Sequence, residues 1–382
     1  MSKPTHNLPE ARHGMTIVEL LVVMGILVAL LGIAATAVKT GTRGKKQREA
    51  ARQVNAYIAS AQARAVQLGR PVGVEIVRNV SDSNGDGTIL FADDTGVSNS
   101  SLLMYTLETP PPYAGDAYDS QIDVNSTGGN VTLTDTTGQF VGASPLLSTG
   151  TAVKVRLGYR GPKYNATVTQ ASPLILTFSL PVTDHRVLPM KSTCQIFLPP
   201  QRSSATPLQL PTDMCIDLTC SGWGNSTGNQ FANWNSGVHD SVRFTFSPKG
   251  NVDQVSTVDG TWARPGGNIH ILVGKYDHAI DAIAVMQNEN VDERYYTGLN
   301  YLEYITPTVD PDLETNLADG SSMWVSINNL TGQITTTRNK LITSDFLNSP
   351  AYTSASNKNA ALLAETRDFA RSGLIIKGQG DE

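Results

Sequence analysis

From Met15 to Val38 the chain runs for 24 residues with a single ionisable side chain, Glu19. As one helix this run would extend roughly 36 Å, enough to cross a bilayer hydrocarbon core of about 30 Å. The sequence therefore predicts a membrane-inserted helix over residues 15–38. Glu19 is the anomaly in it. A carboxylate in hydrocarbon costs on the order of 2.5–3.5 kcal/mol, so an acid near the end of a spanning helix calls for a cationic partner. Cleavage after Gly14 would free an amino group four residues before Glu19. In a staggered stack of such helices, one subunit's amine meets its neighbour's carboxylate, and that pairing sets the axial register of a filament.

The stretch His13-Gly14-Met15-Thr16-Ile17-Val18-Glu19-Leu20, followed by an unbroken apolar helix, resembles the class III signal sequence of type IV prepilins and type II secretion pseudopilins. The resemblance implies cleavage between Gly14 and Met15 by a prepilin peptidase at the cytoplasmic face and N-methylation of Met15. It also implies assembly with other pilins or pseudopilins through the helix, with Glu19 fixing the register. Met15 replaces the Phe commoner at this place. Three other readings stay open. Ala35-Thr36-Ala37 fits the small-x-small site of a conventional signal peptide, with Val38 as the new start. An ordinary membrane anchor is the second. The third is inverted topology, because Lys39, Arg43, Lys45, Lys46 and Arg48 follow the span whereas Lys3 and Arg12 precede it.

The composition of the whole chain is that of an ordered, turn-rich protein: 382 residues, 40% hydrophobic, 33 Gly and 20 Pro. The net charge of -5 argues against nucleic acid as the main partner. Loss of residues 1–14 removes Lys3, Arg12 and Glu10 and leaves the mature chain near -6. Three cysteines, Cys194, Cys215 and Cys220, match no zinc or CxxC spacing. They allow one disulfide, whose pairing the sequence does not fix. Cys215 and Cys220 on one straight strand would point to opposite faces.

Val54, Ile58, Ala61, Ala65 and Leu68 fall at 4, 3, 4, 3 spacing, so an amphipathic helix is expected to continue through residues 39–69. Gly69 is placed to cap it and Pro71 to forbid its return. The junction from Ala59 into Val72–Val77 is similar to the helix-to-first-strand passage of general secretion pathway protein H. Val242-Arg-Phe-Thr-Phe-Ser-Pro-Lys-Gly is similar to that family's strand with a Pro-x-Gly turn, and Trp324-Val-Ser-Ile-Asn-Asn-Leu-Thr-Gly resembles its closing hairpin. Residues 78–235 are rich in Ser, Thr, Asn, Gly and Pro, with short alternating runs at Leu102–Leu107, Val153–Leu157 and Leu174–Leu180 that read as strands joined by long loops. Asn359 to Arg371 reads as a further helix, capped by Gly373, with Leu362, Leu363, Thr366, Phe369 and Ala370 on its docking face.

The expected fold is thus α+β and pilin-like: one long N-terminal helix, half membrane-spanning and half amphipathic, packed on an antiparallel sheet with an enlarged loop-rich β head. The expected domains are a leader (1–14), a transmembrane and assembly helix (15–38), its amphipathic continuation (39–69) and a periplasmic β-rich head with insertions (70–382). The expected place is the inner membrane, held by the one helix, with the head in the periplasm and incorporation into a filament after processing. The function implied by the resemblance is a minor pseudopilin of a type II secretion system that assists protein export. A minor type IV pilin with an adhesive head, or a conventionally secreted or anchored β protein, is the alternative.

Asp82-Ser-Asn84-Gly-Asp86-Gly-Thr88, with Asp93 closing the loop, has the oxygen-ligand spacing of a calcium loop. Asp93 stands where Glu is usual and is shorter, and Asp-Asn-Gly clusters also form plain hairpin turns. No HExxH, G-x-S-x-G, Walker or dinucleotide motif appears, so an enzyme is not expected. His270 reads as a sheet histidine. Trp223, Phe231 and Trp234, set among Gly and Asn, read as a loop packing on the core or as a carbohydrate or partner surface.

Overall fold

The computed structural model describes residues 17–79, 100–127, 129–180, 190–224, 231, 241–256, 262–279, 315–317, 319–341, 344–354 and 358–376. Helix α1 (Ile17–Leu68) ends where Gly69 takes a φ of 64°, a left-handed conformation that costs glycine nothing, and donates its N–H to the Ala65 carbonyl at 3.1 Å. Pro71 follows, and the chain enters β1 (Val72–Val77) directly.

Three antiparallel sheets make up the body. The first orders its strands β11 (Gln201–Arg202), β3 (Leu103–Glu108), β1, β14 (Val242–Phe246), β15 (Val252–Ser256) and β16 (Trp262–Ala263), with β12 (Leu208–Gln209) also on β3. The second runs β19 (Ile334–Arg338), β18 (Met323–Ile327), β17 (Ile269–Lys275), β13 (Met214–Trp223) and β2 (Ser100–Ser101). The third runs β10 (Cys194–Phe197), β6 (Ala152–Leu157), β7 (Tyr164–Ala171), β8 (Leu174–Ser179), β5 (Asn130–Thr134), β4 (Ile122–Thr127) and β9 (Lys191–Ser192).

The first two sheets share one core with α1. Ala50, Val54, Ile58, Ala61 and Ala65 are buried along the helix, whereas Leu68, the last member of the sequence stripe, is exposed. Ile269, Ile271 and Val273 of β17 and Met323, Val325 and Ile327 of β18 belong to this core. Their neighbours His270, Leu272, Trp324 and Ser326 point the other way, by the period of two, yet are also buried. That second face lies toward the C-terminal helix, which follows two one-turn helices, α2 (Ser344–Leu347) and α3 (Pro350–Thr353). This helix, α4 (Lys358–Ile376), packs on β18 and β19. It runs through Gly373 rather than stopping there. A Cβ at Gly373 would lie 2.2 Å from Thr337 Cγ2, so the glycine is there for close approach and not as a cap.

The third sheet is a separate unit inserted between β3 and β11. Its core, with Ile122, Val131, Leu133, Phe140, Val155 and Leu176, is distinct from the first. The chain enters through Thr109-Pro110-Pro111-Pro112 and leaves through Leu198-Pro199-Pro200. The two crossings are tied by Tyr113 and Ile196, which exchange backbone hydrogen bonds of 2.9 and 2.8 Å.

This architecture corrects the expected α+β, pilin-like subunit with one helix on one sheet and a loop-rich head. Among the described residues the body is mostly β, nineteen strands in three sheets around two cores. The runs Val153–Leu157 and Leu174–Leu180, read as strands, form β6 and β8, and part of what was expected as loop between them closes into sheet as well, because its sparse apolar residues alternate: β7 buries Tyr164, Ala166 and Val168.

The expected membrane anchor is corrected too. Among the described residues no helix is long and apolar enough to cross a membrane, which removes the basis for the transmembrane helix over 15–38, for the inner-membrane location and for a head held in the periplasm.

Candidate assembly surface

Helix α1 has two halves of opposite character. From Gln47 onward it is held by the body. Gln62 donates both hydrogens of its amide to backbone carbonyls, Gly250 O at 2.6 Å in the β14–β15 turn and Gly332 O at 2.8 Å in the β18–β19 turn. These are the Pro-x-Gly and Thr-Gly turns legible in the sequence, and both glycines have positive φ, 86° and 72°. The turns touch: a Cβ on Gly332 would lie 1.9 Å from Gly250 O. Asn55 Nδ2 adds a bond to Thr336 Oγ1 at 2.8 Å, and Lys46 pairs with Asp213 at 3.1 Å on the surface.

At its start the same helix is bare. Ile17 is 83% exposed, Val18 72% and Leu21 69%, and Leu20, Val22, Met24, Ile26, Leu27 and Val28 are exposed as well. Successive positions on an α-helix are about 100° apart, so this run is apolar around its whole circumference and not along one stripe.

The residues singled out from sequence fall in four places. Gly14 and Met15 lie outside the described residues, as do Asp82, Asn84, Asp86, Thr88, Asp93 and Trp234. Glu19 lies within α1, but its side chain is outside those described. Cys194, Cys215 and Cys220 are buried free thiols, so no disulfide forms; Cys194 sits in the inserted unit and the other two on β13. Burial pushes the Cys194 thiol up to about 12, with Asp135 adding to the effect, and raises the Cys215 and Cys220 thiols as well. His270 is buried on β17 with Nδ1 2.9 Å from Ser326 Oγ, and burial lowers its pKa to about 3. Phe231 is buried with its ring 5.7 Å from that of Trp223.

Three buried polar anchors carried no sequence signal. Glu75 of β1 is held between Arg243 (2.9 Å) of the adjoining β14 and Arg202 of β11, which lies one strand further off, beyond β3. Burial works against its charge, but the two guanidinium groups outweigh it and leave its carboxyl below the usual range. Arg367 of α4 is fully buried and donates to the carbonyls of Cys220 (2.7 Å) and Gly224 (3.1 Å). Asn316 Nδ2 bridges Asp217 Oδ2 and the Lys275 carbonyl, both at 3.0 Å. Each sits at an unremarkable place in its local pattern, and only the pairing of distant strands reveals it. Among the described residues no group of His, Cys, Asp and Glu is placed to hold a metal ion.

No family model, curated protein or solved structure matches this chain.

Proposed function

We propose that this chain is a structural, non-enzymatic subunit of a filament of the type II secretion kind. It joins its neighbours through the first turns of α1 after a prepilin peptidase cuts between Gly14 and Met15. The observation that carries the reading is the exposure of the apolar run Ile17–Val28 on a helix whose distal half is docked. A two-chain contact would cover one stripe of such a helix. An apolar circumference is covered only when several copies surround it, as in the core of a helical filament. The Gly-Met-Thr-Ile-Val-Glu sequence supports the same reading, since it supplies a cleavable glycine and an acid four residues beyond the new amine.

Mass spectrometry of the mature N-terminus tests it directly: the expected chain begins at N-methylated Met15. A start at Met1 or at Val38 refutes the processing step. Glu19→Gln is expected to be cut normally but to be lost from the sheared filament fraction. Incorporation at the wild-type level would refute the register role of Glu19.

A further inference from the structure

The inserted unit and the first sheet face each other across a cleft of about 480 Å³. Its chemistry follows from the alternation of β6. Val153 and Val155 enter the inserted unit's core, so Lys154 and Arg156 project from the opposite face. The strand partner of Lys154 on β10 is Phe197, whose ring has Lys163 Nζ 3.9 Å and Arg156 Cζ 5.4 Å from its centre. Across the cleft stand Asp253 and Gln254 of β15 and Trp262 of β16, and the prolines of the two crossings also line it.

The cations in this cleft are not balanced. Arg70 is held by Glu108 at 3.1 Å. Lys154 and Lys163 have no ion-pair partner among the described residues, and the one further carboxylate lining the cleft, that of Asp253, is outside salt-bridge distance of both. Burial above all, and then the nearby charges of Arg156 and Lys154, lowers the pKa of Lys163; the charge of Asp253 across the cleft opposes this without cancelling it. An apolar cleft of a few hundred Å³ with a small number of convergent polar groups is the usual form of a small-molecule site. A peptide strand is a poor occupant, because the proline crossings offer no N–H groups to pair with it.

We propose that this cleft binds a small organic anion: a flat apolar body lying against Phe197, Trp262 and the prolines, with one carboxylate directed to Lys154 and Lys163. The probe pair is 1-pyrenebutyrate and its neutral amide, titrated by fluorescence into the full chain and into the K154E/K163E variant. Both lysines reach solvent, so the charge reversal leaves the fold intact, as circular dichroism would verify; K154Q/K163Q replaces it if it does not. The acid is expected to bind with one equivalent, at least tenfold tighter than the amide, and to lose at least tenfold in the variant while amide binding there is unchanged. Any amide binding to the exposed turns of α1 is the same in both proteins. Equal binding of acid and amide, absence of binding, or wild-type affinity in the variant would overturn the proposal. So would displacement of the acid by a glutamate-rich octapeptide of higher affinity.

Discussion

Replacing Gln62 by alanine removes the one side chain that grips both hairpin turns at once. Its amide donates at 2.6 and 2.8 Å to the carbonyls of Gly250 and Gly332. Each such bond contributes about 0.5–1.5 kcal/mol net, and this site is part-buried, so water replaces some of the loss; about 1–2 kcal/mol is expected. Gln62→Glu is the sharper probe, since it keeps the shape but aims a carboxylate at two carbonyl oxygens. At pH 7 it should be less stable than Gln62→Ala. The new acid, desolvated and facing acceptors, would have a folded-state pKa raised above its unfolded value of about 4.3. Its stability is therefore fully present below that unfolded value and lost as pH rises through the folded one, so the gap to wild type should narrow toward pH 4 without closing, because the protonated acid has one O–H donor where the amide has two N–H groups. Urea unfolding separates the effect from the inserted unit, because residues 113–198 contain no tryptophan. Tryptophan fluorescence therefore carries no signal from within the inserted unit, and its midpoint should drop by about 0.5 M for a slope near 3 kcal/mol/M. A shift within error for Gln62→Ala, or a Gln62→Glu variant no less stable than it at pH 7, would refute the clasp.

Glu75→Gln leaves Arg202 and Arg243 without their shared carboxylate; because both guanidinium groups are half exposed, about 1–3 kcal/mol is expected in urea melts at pH 7. The folded pKa of Glu75 is depressed, so its contribution is present above the unfolded value and lost as pH falls through the folded one, and the gap between variant and wild type should close in melts below about pH 4. Gly373→Ala should cost about 1–3 kcal/mol by driving its methyl into Thr337 Cγ2, and Thr337→Ser, which deletes that methyl, should restore most of the loss in the double variant, an interaction that thermal melts would detect as non-additivity. Ellman's reagent should label none of the three thiols in the native protein and all three in guanidinium, since each is buried and raised in pKa.

What the sequence made legible was local and periodic. The buried stripe from Val54 to Ala65 follows from 3.6-residue geometry, and the Gly69 stop and the Gly250 and Gly332 turns follow from positions where a positive φ is needed. Phe369 was placed on the docking face of α4 and is instead 42% exposed, while Arg367 is the residue that enters. A guanidinium is welcome there because β13 presents the carbonyl of Cys220 and the residue after the strand, Gly224, presents another, next to a register irregularity between Asp217 and Gly222 that no composition reveals. The inserted unit was legible only in part. Val153–Leu157 and Leu174–Leu180 read as strands, whereas β4 and β5 carry two apolar residues each among polar neighbours, too few to distinguish sheet from loop until β6, β7 and β8 share one core with them. The apolar run at the start of α1 was plain in the sequence, and length and hydropathy favoured a lipid partner, whereas among the described residues no helix is long and apolar enough to cross a membrane.

The way the cores are divided constrains how the two proposed surfaces relate. Helix α1 contributes side chains to the core it shares with the first two sheets and none to that of the inserted unit. Force or register transmitted along α1 therefore reaches the first two sheets through Val54, Ile58 and Gln62, and the inserted unit through the proline crossings at 109–112 and 198–200 and the walls of the cleft between them. Proline fixes φ at each crossing, so those crossings resist bending more than ordinary loops of the same length would. An anion bound at Lys154 and Lys163 would fill the space between the inserted unit and β15–β16 without touching the clasp at Gln62. Occupancy of the cleft should then raise the unfolding midpoint of the inserted unit and leave that of the Gln62→Ala variant's helix-bearing unit displaced by the same amount as before.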